Sequence, residues 1–206
     1  MQVDFIFAIA ILIMSVVLHE VSHGYAAYAL GDPTAKYAGR LTLNPLKHLD
    51  IFGSIILPIF TYLTGGFILG WAKPVPFNPY NLKNQKWGPA IVGAAGPLTN
   101  LLVVLAFGAI VRFNEALVFL PASFFQLAGL IVLINLTLAI LNLIPIPPLD
   151  GSRLFFAFLP WRWQHIQYTL ERYSFIFVLI FIFFIWPYIF LPIVSLLFKL
   201  ITGLSI

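Results

Sequence analysis

His19 and His23 stand four residues apart, with Glu20 between them, in the run His19-Glu20-Val21-Ser22-His23. On an α-helix this spacing stacks the two imidazoles one turn apart on one face, with Glu20 about 100° around from His19. Imidazoles so placed suit a zinc ion, and the adjacent carboxylate suits the general base of a metal-assisted hydrolysis. The setting sharpens the reading. Residues 5–18 carry no polar side chain before Ser15, so the cluster falls in the second half of an apolar helix. Ionisable groups at membrane depth are costly and functional by default. The bland alternative, two satisfied core histidines beside a stray glutamate, gives no reason for three costly groups together.

Two histidines leave a hydrolytic zinc short of a third protein ligand. The chain has no cysteine, which excludes thiolate ligands and disulfides. A third histidine six residues beyond the second is absent, because position 29 is Ala29. Asp150 is the leading candidate. It follows Asn142-Leu143-Ile144-Pro145-Ile146-Pro147-Pro148-Leu149, whose prolines stop a helix, and it precedes Gly151, which permits a sharp turn beside the carboxylate. An aspartate at a helix end is more often a solvated cap, and only the missing ligand lifts it above that role. Asp50 and His48 stay open as alternatives, although their loop also holds Lys47 and reads as a solvated connector. Glu115 falls on the far side of the topology below, and Glu171 lies well away from the helix end.

The elements that must position these groups are membrane spans. The chain has 206 residues, 61% of them hydrophobic and 9% charged, with a mean hydropathy of +1.00. That composition excludes a soluble globular domain and predicts an all-α polytopic membrane protein, residues 1–206 forming one domain. Spans of about 20 residues are expected near 3–30, 90–113, 124–144 and 173–200. The last carries Pro187 and Pro192 and is expected to be kinked or broken. The apolar run 51–69 is interrupted by Pro58 and Gly65-Gly66, which suits a re-entrant segment. Before the first span, Met1-Gln2-Val3-Asp4 lacks the positive flank of a cleaved signal, so the helix is read as retained.

Charge placement orients the spans. Lys36, Arg40 and Lys47, then Lys73, Lys83 and Lys86, then Arg153, Arg162 and Arg172 fall in three loops on one side, with Arg112 and Lys199 opposite. The positive-inside rule makes the three basic loops cytoplasmic. The net charge of +4 resides in these short loops and points to orientation, not to nucleic acid. For His19 and His23 to meet Asp150, the crossings between them must be even in number, which again makes 51–69 dip and return.

The proline-punctuated stretch 71–80 cannot be helical. Its alternation of bulky and small residues suits a hairpin-like loop at the membrane edge, able to accept an unwound substrate by strand addition. A proline-rich surface connector is the plain alternative. His165, among Trp161, Trp163 and Tyr168, suits an interfacial aromatic belt. The phenylalanines of 175–184 read as lipid-facing or packing surface.

Taken with Ala95-Gly96-Pro97-Leu98-Thr99-Asn100, the histidine run and the Asn142 to Gly151 run resemble the site-2 protease (M50) family of intramembrane zinc metalloproteases. Gly31-Asp32-Pro33-Thr34-Ala35, Leu43-Asn44-Pro45 and Gly70 through Asn78 resemble its small bacterial branch without a PDZ domain. The resemblance covers nearly the whole chain and is weakest from Tyr173 onward. Ser152-Arg153 departs from the second glycine frequent after Asp-Gly. The family implies that His19, His23 and Asp150 bind Zn2+, that Glu20 is the catalytic base, and that three helices form the catalytic core, about 3–151 here, ahead of a C-terminal segment at about 173–200. It also implies positions for Asn100 and Asn142 near the site, where they would help position substrate; each is otherwise an ordinary interhelical asparagine.

The function expected is a zinc endopeptidase of the cell membrane, multi-pass, opening toward the cytoplasm and cutting transmembrane segments of substrates within the lipid bilayer. Its rivals are a divalent-metal transporter, which predicts several sites along a path, and a non-catalytic scaffold of the same fold, which has no need of Glu20.

Overall fold

The computed structural model describes residues 5–50, 73–117, 119–160 and 164–205, together with Gly53, Ile56, Phe60 and Leu63. The run expected to be re-entrant, 51–69, lies almost wholly outside the described residues. Helix α1 spans Phe5–Ala29 and α2 is the single turn Thr34–Tyr37. Helix α3 spans Gly88–Arg112 and α4 spans Ala122–Asn142. Two short helices follow, α5 (Gly151–Phe158) and α6 (Gln164–Arg172), and then α7 (Ser174–Ile180). A π-helical stretch, Phe181–Phe190, leads into α8, Leu191–Thr202. Four helices are long and apolar enough to cross a membrane: Ile6–Ala29, Gly88–Arg112, Ala122–Asn142 and Phe183–Thr202. This is the all-α, multi-pass architecture that composition predicts.

The expected break in the last span is a change of helical register. Pro187 lies within the π stretch and Pro192 in the first turn of α8. A proline removes one N–H and crowds the preceding turn. Widening the coil accommodates it, and the N–H of Leu191 bonds the carbonyl of Trp186, five residues back.

Helix α3 shows how the bundle is sorted. Leu98, Leu102 and Leu105 face outward and are exposed, whereas Gly93, Gly96, Asn100, Val104 and Gly108 face inward. Lipid tails are as apolar as leucine, so burying leucine gains little there, and close backbone approach with shared polar groups holds the helices. A Cβ on Gly108 would collide with the Ile201 side chain of α8. Val104 of α3, Val132 and Leu136 of α4, and Val194 and Phe198 of α8 close an apolar core at that level. Helices α1 and α3 are antiparallel, since His23 meets Val92 while His19 meets Asn100. Arg112 Nη1 reaches the carbonyl of Leu200 at 3.5 Å, so Arg112 and the end of α8 share the face opposite the histidines.

Helix α1 ends in a Schellman turn, in which Asp32 N–H bonds the carbonyl of Ala27 and Gly31 N–H that of Tyr28. Gly31 has φ 104°, a left-handed conformation that glycine adopts without strain. Asp32 is fully buried and gathers the next loop. Its carboxylate accepts from Thr34 N–H and hydroxyl, from Asn78 N–H at 2.6 Å and from the Asn81 amide at 2.9 Å. Residues 73–78 form neither helix nor strand, and no strand occurs among the described residues. Of the stretch 71–80 anticipated as hairpin-like, residues 71–72 lie outside the described residues, 73–78 carry no ladder, and Pro79 opens the 3-10 turn Pro79–Asn81. Several of its donors have partners within the protein: Pro74, Pro76 and Pro79 have none to offer, while the N–H groups of Lys73, Val75 and Asn78 go to His48 O, Glu20 Oε2 and Asp32 Oδ2.

Burial opposes the charge on Asp32, but its hydrogen bonds from Thr34, Asn81 and Asn78 prevail and hold the carboxyl below the usual carboxylate range. A depressed folded-state pKa stabilises the fold above the unfolded value of about 3.9, and that contribution is lost as pH falls through the folded value. Thermal unfolding in detergent is expected to hold level from neutral pH to about 4 and to weaken below it. Asp32→Ala, which removes the acceptor of four part-buried donors, should cost about 1 kcal/mol or more at neutral pH and flatten that acid limb.

Candidate metal centre

The imidazoles of His19 and His23 lie side by side on α1, their ring centroids 4.7 Å apart and nearly perpendicular. Each is aimed by its Nδ1. His19 Nδ1–H donates to Asn100 Oδ1 at 2.5 Å, and His23 Nδ1–H to the carbonyl of Val92 at 2.6 Å. These acceptors select the tautomer that leaves both Nε2 lone pairs free. Both point at one atom. Asp150 Oδ2 is 3.0 Å from His19 Nε2 and 3.1 Å from His23 Nε2. All three residues are buried, and their ligand atoms lie within 4.8 Å of one another. Three lone-pair donors converging without a shared proton form an arrangement that a cation satisfies.

Space for that cation is cut into α3. A Cβ on Gly96 would stand 2.5 Å from both Nε2 atoms. Glycine therefore leaves open the place beside the two nitrogens where a ligated ion would sit. Two neutral imidazoles and one carboxylate are also a donor set typical of hydrolytic zinc, with one position left for water. The residues present fit the ion.

Asp150 reaches this point through backbone that only glycine allows. A Cβ on Gly151 would collide with the carbonyls of Leu143 and Ile144, so α5 can pack over the end of α4 only with glycine there. Asp150 occupies the N-cap of α5 but makes no side-chain cap bond; its carboxylate turns toward the imidazoles instead. The capping role that competes with ligation in the sequence is thereby absent.

Behind His19 runs a chain of polar contacts through three helices. Asn100 Nδ2 donates to Asn135 Oδ1 at 2.7 Å, and Asn135 Nδ2 donates to Ser15 Oγ at 2.9 Å, one turn before His19 on α1. Because Asn135 accepts from the Asn100 amide nitrogen, the Asn100 oxygen must face His19. Neither Asn135 nor Ser15 is singled out by sequence reading. Their signal was available: both are polar groups within apolar spans, and such groups seek one another.

The remaining candidates lie elsewhere or have other partners. Glu20 is half-buried, and its Oε2 accepts the N–H of Val75 at 2.7 Å. Asn142 donates to the carbonyl of Leu138 within its own helix at 3.0 Å. His48 is buried against the carbonyl of Thr42, and Asp50 accepts from Gly53 N–H. Among the described residues, His19, His23 and Asp150 are the group able to hold a metal.

Comparison with known proteins agrees with this geometry. The profile of peptidase family M50 matches residues 7–120 and 116–185. The chain is a member of peptidase family M50. It is 38% identical over 174 residues to a Bacillus subtilis protein provisionally named zinc metalloprotease YwhC, covering 82% of this chain and 76% of that one. It is 36% identical over 150 residues to the provisionally named zinc metalloprotease Rip2 of Mycolicibacterium smegmatis, covering 71% of this chain and 55% of Rip2. Rip2 of Mycobacterium tuberculosis H37Rv is 29% identical over 178 residues, covering 85% of this chain and 66% of that protein. The chain thus spans about three quarters of YwhC and roughly half to two thirds of these Rip2 proteins. No solved structure matches it.

Two substitutions test the centre by metal content. Gly96→Ala places a methyl between the imidazole nitrogens and is expected to abolish stoichiometric metal uptake, read by elemental analysis of folded protein. Asn100→Leu leaves every ligand in place but removes the His19 acceptor; a chelator competition should show metal held about 10–100-fold more weakly.

Proposed function

We propose that this M50 metalloprotease is an intramembrane zinc endopeptidase that hydrolyses peptide bonds in or near transmembrane segments of membrane-protein substrates. One observation carries the reading: two imidazoles from α1 and a carboxylate 127 positions beyond the second, on another element, converge beside Glu20 within a bundle of membrane-spanning helices. His19 Nε2, His23 Nε2 and Asp150 Oδ2 hold the ion. Zinc bound there supplies Lewis acidity toward the scissile carbonyl and acidifies a water molecule.

Glu20 is the base. With Oε2 engaged by Val75 N–H, Oε1 takes the proton of the attacking water and returns it to the leaving nitrogen as the C–N bond breaks. Asn100, committed to His19 and Asn135, serves the reaction by orienting a ligand. Asn142, on the last turn of α4, is assigned to substrate positioning.

Water reaches the centre from the side of the basic loops. A cavity of about 940 Å³, lined by Phe77, Pro148, Ser152, Arg153 and Phe156 among others, adjoins Asp150 through Arg153. By the positive-inside rule this side is cytoplasmic, and the cell membrane is the setting proposed. An intact helix hides its carbonyls in hydrogen bonds, so substrates carry helix-weakening residues at the cleaved segment.

Glu20→Gln separates chemistry from binding. In proteoliposomes containing a transmembrane peptide with a central Gly-Pro or Asn-Gly pair, this variant should lose cleavage while its zinc content stays at the parent level. Cleavage retained by purified Glu20→Gln protein would remove the base assignment.

A further inference from the structure

The two oxygens of Asp150 have different neighbours. Oδ2 faces the imidazoles, whereas Oδ1 accepts a hydrogen bond from Nη1 of Arg153 at 3.2 Å. The arginine arm is itself held from two further sides. Its guanidinium lies over the ring of Phe77, 4.9 Å from the centroid. Its stem passes Gly93 of α3, where a Cβ would come within 3.2 Å of Arg153 Cβ and 3.3 Å of Cδ. Gly93 stands one turn before Gly96, so one face of α3 clears both the arginine stem and the ion's place. Phe77 belongs to the same proline-punctuated segment as Val75, whose N–H holds Glu20. The arm thus joins the ligand, α3 and the segment over the base.

We propose that Arg153 is a positioning residue that keeps Asp150 a single-oxygen ligand and so preserves the open coordination position. This rests on the zinc reading above. A carboxylate can bind an ion through one oxygen or both. Three protein atoms leave the fourth place of a tetrahedral zinc for water, and a second oxygen from Asp150 would enter beside that water as a fifth neighbour and crowd its place. A charge-assisted bond from a guanidinium to Oδ1 opposes that swing. An ordinary half-exposed ion pair contributes little stability and would leave coordination untouched.

The probe is the metal alone. Arg153→Met and Arg153→Ala are purified in detergent beside the parent, loaded with Zn2+, and read by X-ray absorption at the zinc edge; Co2+ loading gives a parallel optical reading. The parent is expected to show four light-atom neighbours. The variants should gain a fifth at longer mean distance, with loss of intensity in the Co2+ d–d bands. An unchanged neighbour count in a metal-bound variant overturns the proposal. Loss of metal from both variants overturns it too, because a group that only limits coordination is dispensable for binding. A parent that takes up no zinc is a different failure, since it removes the zinc reading itself.

Discussion

Aiming two imidazoles inside a lipid-embedded bundle is the constraint on which this molecule turns. A neutral imidazole offers its lone pair to a metal only if the other nitrogen's proton has somewhere to go. Water cannot be relied on to take that proton, so the protein supplies fixed acceptors from a neighbouring helix: Asn100 Oδ1 for His19 and the Val92 carbonyl for His23. A buried donor without an acceptor costs about 1–3 kcal/mol. The register of α3 against α1 is therefore set by two protons, and the chain of contacts through Asn135 and Ser15 extends the same requirement to α4.

Glycine is the complement of that network. Gly96 clears the ion's place, Gly93 the stem of Arg153, Gly108 the approach of α8, and Gly151 the packing of α5 on the end of α4. In water such close approach would compete with burying larger side chains. In lipid, small residues bring backbones and polar groups within reach while leucine and phenylalanine cover the outer face. Exposed residues such as Leu102 and Phe184 are the expected surface of a protein whose solvent there is hydrocarbon.

Several elements were legible from residue type alone. The apolar runs became α1, α3, α4 and the last span, and the prolines of 173–200 marked a real change in helical register. The three candidate ligands named by type and spacing are the three brought together. Other features were hidden. Alternating bulky and small residues in 71–80 suggest a strand, but prolines supply no N–H, and the N–H groups of Val75, Asn78 and Lys73 serve Glu20, Asp32 and His48. Which partner takes a lone N–H is a question of what lies above it, and periodicity carries nothing about that. Asn135 and Ser15 were passed over for the same reason, since a single polar residue in a span does not announce its partner.

Local chemistry determined much by itself: a spacing of four places the two histidines on one helical face, a carboxylate beside them completes a hydrolytic set, and long apolar runs demand a membrane. These follow from helix pitch, from metal preference and from the cost of wetting hydrocarbon. Tertiary structure alone decided which carboxylate meets the imidazoles, which nitrogens face it, and which oxygen of Asp150 is left to Arg153. The first two depend on contacts between groups more than a hundred residues apart, and the third follows from them, although Arg153 lies only three residues from Asp150. Packing selects such contacts, and no local rule of sequence can state them.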